Sequence, residues 1–306
     1  MAEPVTAPSP ESRALGRLYQ SKGERYDGAA QMGMVALRSL EDENESCSSE
    51  APGVSYESVD AGGAPAIWVT PAGPNVHGVI VYLHGGGFRV GSPTSHRKLA
   101  AHFAKAANSH ALVLHYRLAP EHPYPAALDD CIAAYQWVIH RGFKPNEIAI
   151  AGDSAGGNLA AATILRLRAE GAALPAAAVA FSPWYNLKND LPSMESNDAK
   201  DLLVHKAALH DMAAAYAGKH SLEDPLVNPL YADLAGFPPI FISVGSDETL
   251  EDDSVHFSEK ARKAGVTVEL ERVAGQQHVH VLMAGRAPEA DTSIQKAGSW
   301  VSRHLT

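Results

Sequence analysis

Seven short apolar runs, at residues 66–70, 79–83, 111–116, 148–151, 177–181, 240–244 and 266–270, alternate with longer segments of helical spacing. The runs are rich in Val, Ile and Leu and are bounded by Gly, Pro or Asp, as strands buried on both faces should be. Helices are predicted between them, near 95–107, 125–140, 155–170, 250–264 and 288–303. Such alternation hides its apolar surface best as a mostly parallel sheet covered by helices on both sides, so an α/β fold is expected. A chain of 306 residues is long enough to bury one such core.

Two regions depart from that rhythm. The first ten residues, rich in Pro, Ser and Ala, read as a frayed end, and 11–40 carry apolar groups at helical intervals (Leu15, Leu18, Tyr19, then Met32, Val35, Leu37, Leu40). One or two amphipathic helices are predicted there, followed by the charged, turn-rich connector EDENESCSSEAPG, in which Cys47 is expected to be solvated. Residues 182–237 hold a Pro/Asn/Asp-rich loop, a helix predicted over 200–216, and the turn-rich DPLVNPLYADL. That length exceeds a simple connection and reads as an insertion over the sheet. The division implied is a helical segment over 1–50 and a main α/β domain over 51–306, with an insertion at about 183–220 that could form a lid together with the first helices.

Composition narrows the function classes. The 35 acidic residues outweigh 25 basic ones, and the net charge of −10 disfavours nucleic acid or an anionic membrane surface as partner. No window approaches the roughly 18 uninterrupted apolar residues of a spanning helix, and MAEPVTAPSP lacks the pattern of a secretory signal. Cys47 and Cys131 cannot make a disulfide framework, and Cys131, in the apolar stretch 126–139, should pack as a small hydrophobe. A cytoplasmic enzyme without stable membrane insertion is expected.

Chemistry enters at Gly152-Asp153-Ser154-Ala155-Gly156, which follows the strand IAIA and opens the helix AGGNLAAATILRLRAE. G-x-S-x-G in that setting is a nucleophile elbow, whose glycines permit a tight turn and close backbone approach. Taken alone it could be a Gly-rich turn before a helix. The second motif, His84-Gly85-Gly86-Gly87-Phe88, directly follows the strand VIVYL. Three glycines leave backbone N–H groups unobstructed, as an oxyanion hole requires. A phosphate loop would end in Lys-Ser/Thr, whereas this one continues Phe88-Arg89-Val90.

With these two motifs, and YRLAPEHPYPAALDD between them, the chain resembles the hormone-sensitive-lipase family of bacterial esterases, a branch of the α/β-hydrolases. The likeness runs from about residue 60 through FPPIFISVGSDE to the C-terminal histidine region. It implies a cap formed by the N-terminal helices and the 183–220 region, and oxyanion N–H groups on Gly85, Gly86 and Ala155. It also implies a small-molecule ester of short- to medium-chain acids as substrate, and no metal or organic cofactor. A homodimer is one assembly it allows, though no patterning marks an interface.

A serine hydroxyl needs a base. Of 15 histidines, His278 is favoured because it follows the last predicted strand in a short Gly-containing loop, AGQQHVH. His280 is the rival; the family usually has an aromatic residue there. The HVH pair could instead suggest a metal site, but it lacks a carboxylate at a helpful spacing. For the acid, position after the strand PIFISV narrows the choice to Asp247 and Glu248, since Glu251, Asp252 and Asp253 should lie on the next helix. Residue chemistry cannot choose between the two. The family pattern D-P-x-x-D-D/E, registered on Asp252 and Asp253, puts Glu248 in the catalytic slot although Asp is the usual type there.

The remaining polar residues read as structural. Asp153 should hydrogen-bond beneath the elbow, while Arg117, Glu121 and Asp130 should form one network holding the loop after ALVLHY. Trp184, Tyr185, Met32 and Met34 are read as core or lid packing, with an acyl pocket as the alternative. Two other function classes share these features. One is an amidase, thioesterase or carbamate hydrolase with the same triad. The other is a non-catalytic binding protein, since plant gibberellin receptors resemble this family but lack a working triad.

Overall fold

The computed structural model describes residues 7–306, so part of the segment expected to fray lies outside the described residues. Two helices, α1 (Arg13–Met32) and α2 (Met34–Asp42), come first. Eight strands follow: β1 (Val54–Asp60), β2 (Pro65–Pro71), β3 (Val79–Leu83), β4 (His110–Leu114), β5 (Ile148–Asp153), β6 (Ala177–Phe181), β7 (Ile240–Gly245) and β8 (Val268–Val273). Among them lie α3 (Pro93–Ala107), α4 (Ala126–His140), α5 (Ala155–Ala169), the short α6 (Ser193–Ser196), α7 (Lys206–Ala217) and α8 (Glu251–Lys263), and α9 (Pro288–His304) closes the chain. The sheet order is β1-β2-β4-β3-β5-β6-β7-β8, antiparallel through β1, β2 and β4 and parallel from there on. This is the mostly parallel α/β architecture expected.

The unbroken apolar strands follow from burial on both sides of the sheet. Val79, Val81 and Leu83 of β3, with Ile148 and Ile150 of β5, join the core beneath α4, α5 and α8. Ile80 and Tyr82, with Ala149 and Ala151, face the opposite core under α3 and α9. Tyr19 and Leu15 of α1 belong to that second core, which fastens the N-terminal helices to the body. Among the described residues, no helix is long and apolar enough to cross a membrane.

Several local expectations are corrected. Strand β1 was not anticipated: it is an edge strand paired only with β2, and its alternating VSYESVD is partly exposed, so no apolar run marks it. Edge strand β8 begins two residues later than 266 and runs to Val273 through Glu271 and Arg272, which an apolar pattern overlooks. Cys47 is not solvated but 4% exposed and packed in the second core, and burial pushes its thiol up to about 11. Cys131 is buried, as expected, and both cysteines are free. Glu121 pairs bidentately with Arg38 of α2 (2.6 and 3.0 Å), separately from the Arg117–Asp130 pair at 2.7 Å.

The helix predicted over 200–216 begins only at Lys206. Asp201 is the reason: its Oδ1 accepts the N–H groups of Leu203 and Val204 at 3.0 and 2.9 Å, capturing backbone that would otherwise enter a helix. Its Oδ2 accepts the Thr249 N–H at 2.9 Å and hydroxyl at 3.1 Å, tying this turn to the loop after β7. Asp201→Ala would strand several buried donors, and a loss of about 2–4 kcal/mol is expected. Urea unfolding of the two proteins measures it; an unchanged midpoint would show that Asp201 does not hold the segment.

Candidate active site

Five glycine positions carry the geometry of the site. At the elbow between β5 and α5, Ser154 has φ 52° and ψ −121°, a left-handed conformation unfavourable for a residue with a side chain. Its neighbours explain the motif. A Cβ on Gly156 would lie 1.9 Å from the Leu83 carbonyl oxygen, and one on Gly152 would lie 2.4 Å from Gly156 C. Only glycine lets α5 approach β3 this closely. Backbone bonds hold the turn: Ser154 N–H donates to Phe181 O at 2.9 Å, and Trp184 N–H to Ser154 O at 3.0 Å.

The loop after β3 is equally constrained. Gly86 has φ 111° and Gly87 has φ 58°. A Cβ on Gly85 would stand 2.2 Å from Asp153 Oδ2, on Gly86 2.3 Å from Val90 O, and on Gly87 2.2 Å from Met212 Sδ. Among the described residues, the N–H groups of Gly85, Gly86 and Ala155 donate to no protein acceptor. His84 props the loop from below. Burial pushes its pKa down to about 3, so the neutral ring donates from Nδ1 to Gly85 O at 2.7 Å and stacks on Tyr116 at 4.3 Å.

Three loop residues meet at the elbow. His278 Nε2 lies 3.0 Å from Ser154 Oγ, and its Nδ1 lies 2.8 Å from Glu248 Oε2. The other Glu248 oxygen accepts the Ser182 hydroxyl and the Gly245 N–H, each at 2.6 Å. Ser182 Oγ in turn accepts the Val279 N–H at 3.0 Å, so one hydroxyl links the acid to the histidine loop. From α1, Tyr19 OH donates to the His278 carbonyl oxygen at 2.8 Å. Sequence reasoning overlooked both Ser182 and Tyr19. Ser182 carries a positive φ of 47° directly after β6, and no composition signal distinguishes that from an ordinary loop serine.

Electrostatics separate the candidates. Burial works against a charged His278, but the Glu248 hydrogen bond and charge prevail and raise its pKa above the usual histidine value. Burial pushes Glu248 up, opposed by its three donors. His280 is buried away from the serine, against Ser293 Oγ at 3.0 Å, and burial lowers it to about 4. Asp247 is half-buried and bonds to Ser246 Oγ at 3.3 Å rather than to His278. Glu251, Asp252 and Asp253 stand in the first turn of α8, where Asp252 and Asp253 bind the N–H groups of Ser193 and Asn186. Asp153 lies beneath the elbow, taking Tyr82 OH at 2.8 Å and His96 Nε2 at 3.3 Å.

Above Ser154 is a cavity of about 320 Å³, walled by α1 and α2 on one side and by 202–212 on the other. Met34 and Trp184 line it, but Tyr185 stacks on Phe257 at 4.1 Å in the core, and Met32 is 80% exposed. Of the four residues weighed for an acyl pocket, two therefore face it. Among the described residues, no group of three His, Cys, Asp or Glu is placed to hold a metal ion.

Comparison with known proteins agrees with this geometry. A family described as the alpha/beta hydrolase fold matches residues 80–282. The chain is 40% identical to an acetyl-hydrolase of Streptomyces hygroscopicus over 243 residues, 79% of this chain and 81% of that one. It is 38% identical to an esterase of Acinetobacter venetianus, over 71% of this chain and 72% of the other. A crystal structure of an esterase from the bacterial hormone-sensitive lipase family superposes with a TM-score of 0.93 at 35% identity, covering 98% of this chain and all of that one.

A base must be neutral to accept a proton, and the His278 pKa is raised. Ester-hydrolysis kcat/KM should therefore be full at alkaline pH and fall as pH drops through a midpoint above about 6.5. Glu248→Gln should move that midpoint down as well as lowering the rate. A pH–rate profile that leaves the midpoint in place would detach Glu248 from the base.

Proposed function

The chain belongs to the hormone-sensitive-lipase branch of the α/β-hydrolases and is a serine carboxylesterase, and on that premise we propose Ser154, His278 and Glu248 as its catalytic triad. The carrying observation is the continuous line from Glu248 Oε2 through both His278 nitrogens to Ser154 Oγ, at 2.8 and 3.0 Å. His278 takes the serine proton as Oγ attacks the ester carbonyl, and Glu248 holds the ring in the tautomer that leaves Nε2 open. The developing oxyanion rests on the N–H groups of Gly85, Gly86 and Ala155, and α5 points its positive end at it. His278 then delivers the proton to the leaving alcohol, and water repeats the sequence on the acyl-enzyme to release the acid.

The substrates in this reading are small esters of short- to medium-chain acids. The cavity of about 320 Å³ sits at the lower end of ligand sites, which run from about 300 to 1,000 Å³. A solved relative, EstE5, 34% identical with a TM-score of 0.88, was soaked with p-nitrophenyl butyrate. In the same reading α1, α2 and the 183–220 segment serve as the cap, and the enzyme works in the cytoplasm. The buried, unlinked thiols of Cys47 and Cys131 suit a reducing compartment.

Turnover of a p-nitrophenyl ester series should peak between acetyl and hexanoyl and be lost by palmitoyl. Ser154→Ala should cost on the order of 10³-fold or more, and Glu248→Ala a comparable factor. Asp247→Ala should stay within about threefold of the parent. Equal losses from Asp247→Ala and Glu248→Ala would remove Glu248 from the triad, and faster cleavage of the matching anilide would replace the ester class.

A further inference from the structure

The cavity above Ser154 has a mostly apolar wall, interrupted on the α1–α2 side by Lys22, Glu41 and Asn44. Lys22 is 4% exposed and Asn44 is 3% exposed. The Lys22 Nζ lies 3.2 Å from Glu41 Oε2 and donates to Asn44 Oδ1, and Asn44 Nδ2 closes the ring on Glu41 Oε1. Leu37 and Leu40 share that wall, and Leu203 and Leu209 line the opposite one.

Taking an ammonium and a carboxylate out of water costs roughly what their attraction returns, so apolar side chains would join α1 to α2 at least as firmly. Such side chains would also hold an alkyl chain better. The charges therefore call for a polar ligand. An ammonium has three N–H donors; Glu41 and Asn44 engage two, and among the described residues no protein group takes the third. Glu41 already balances the charge, so the cluster is net neutral and suits a neutral oxygen acceptor rather than a second carboxylate.

Its position suits the reaction. Tyr19, whose hydroxyl binds the His278 carbonyl oxygen at 2.8 Å, lies three residues earlier on α1, about 4.5 Å along the helix axis. Lys22, Glu41 and Asn44 line the same cavity as Ser154, so a chain carried by an ester bound there shares their space.

We propose that Lys22 is a specificity-determining residue whose remaining N–H binds a neutral oxygen (ketone, ether or ester carbonyl) carried a few carbons from the scissile carbonyl. The inference rests on the ester-hydrolase reading of the same cavity and names the substrate class within it: oxygen-bearing rather than plain alkyl esters. A site that offers a buried donor discriminates against an analogue lacking the acceptor, because the donor is then left unpaired.

The test compares p-nitrophenyl levulinate and its one- and two-carbon-longer oxo homologues with the pentanoate, hexanoate and heptanoate. For the alcohol arm, the butyrate of a keto-butanol is compared with butyl butyrate. The readout is the oxo-to-alkyl ratio of kcat/KM, which a variant that merely unfolds in part does not move. Lys22→Met should lower that ratio about tenfold for at least one member of one arm, as expected for a lost hydrogen bond to a charged group. The affected arm identifies which half of the ester reaches the cluster. Because Lys22→Met leaves Glu41 alone, Lys22→Met combined with Glu41→Gln is measured beside it and should show the same fall. Ratios within about twofold of the parent in both variants, with alkyl esters still cleaved, would overturn the proposal and leave Lys22 a tie between two helices. A folded parent that cleaves no alkyl or oxo ester would overturn the esterase reading beneath it, and this inference with it.

Discussion

The close approach of α5 to β3 governs the site. With a Cβ on Gly156 only 1.9 Å from Leu83 O, no other residue lets the helix start where it does. Leu83 is the last residue of β3 and leads directly into His84 and the glycine loop. One contact therefore sets two parts of the proposed site against each other, Ser154 at the helix start and the N–H groups at the strand end that, among the described residues, have no acceptor. Ser154 bears the cost as a positive φ, which the bonds to Phe181 and Trp184 hold in place.

The remaining parts are coupled through strand ends rather than along the chain. Strands β5, β6 and β7 are adjacent and parallel, so Ser154, Ser182 and Glu248 emerge from the same edge of the sheet. His278 arrives from the loop beyond edge strand β8 and needs external support. Ser182 supplies it by binding both the Glu248 carboxylate and the Val279 N–H, and Tyr19 supplies it from the opposite side through the His278 carbonyl. Helix α1 thus does more than wall the cavity. It holds the backbone of His278, so one cavity wall and the position of the imidazole share one element.

The sequence made the central strands and the elbow legible because they satisfy local rules: apolar runs buried on both faces, and glycines where backbones touch. His278 was legible from its place after the last strand. Glu248 was not distinguishable from Asp247 by chemistry, since adjacent acids on a strand-end turn differ only in the direction each side chain takes. What escaped was set by tertiary partners. Strand β1 exists because β2 offers an edge, Cys47 is buried because it joins the second core with residues of α1 and α3, and the start of α7 is delayed by a carboxylate, Asp201, that also serves Thr249. None of these leaves a periodic trace. Ser182 shows the same limit, because its role depends on two residues far along the chain.

Two buried acid–histidine pairs lie at the cavity, and their hydrogen bonds leave only one of them with a nitrogen facing Ser154. His96 has both nitrogens engaged, Nε2 by Asp153 at 3.3 Å and Nδ1 by Ser95 Oγ at 2.8 Å. Asp153 is likewise committed, with Tyr82 on its second oxygen. Burial opposes charge on both, yet their mutual attraction raises His96 and lowers Asp153, favouring a fixed ion pair beneath the oxyanion loop. With both nitrogens so engaged, His96 has none left for a nucleophile. His278 is held on one nitrogen only, and the other faces Ser154 Oγ. A buried carboxylate beside a histidine is therefore not sufficient to mark a triad. The distinguishing feature is one imidazole nitrogen left for the nucleophile, which here belongs to His278 alone of the two.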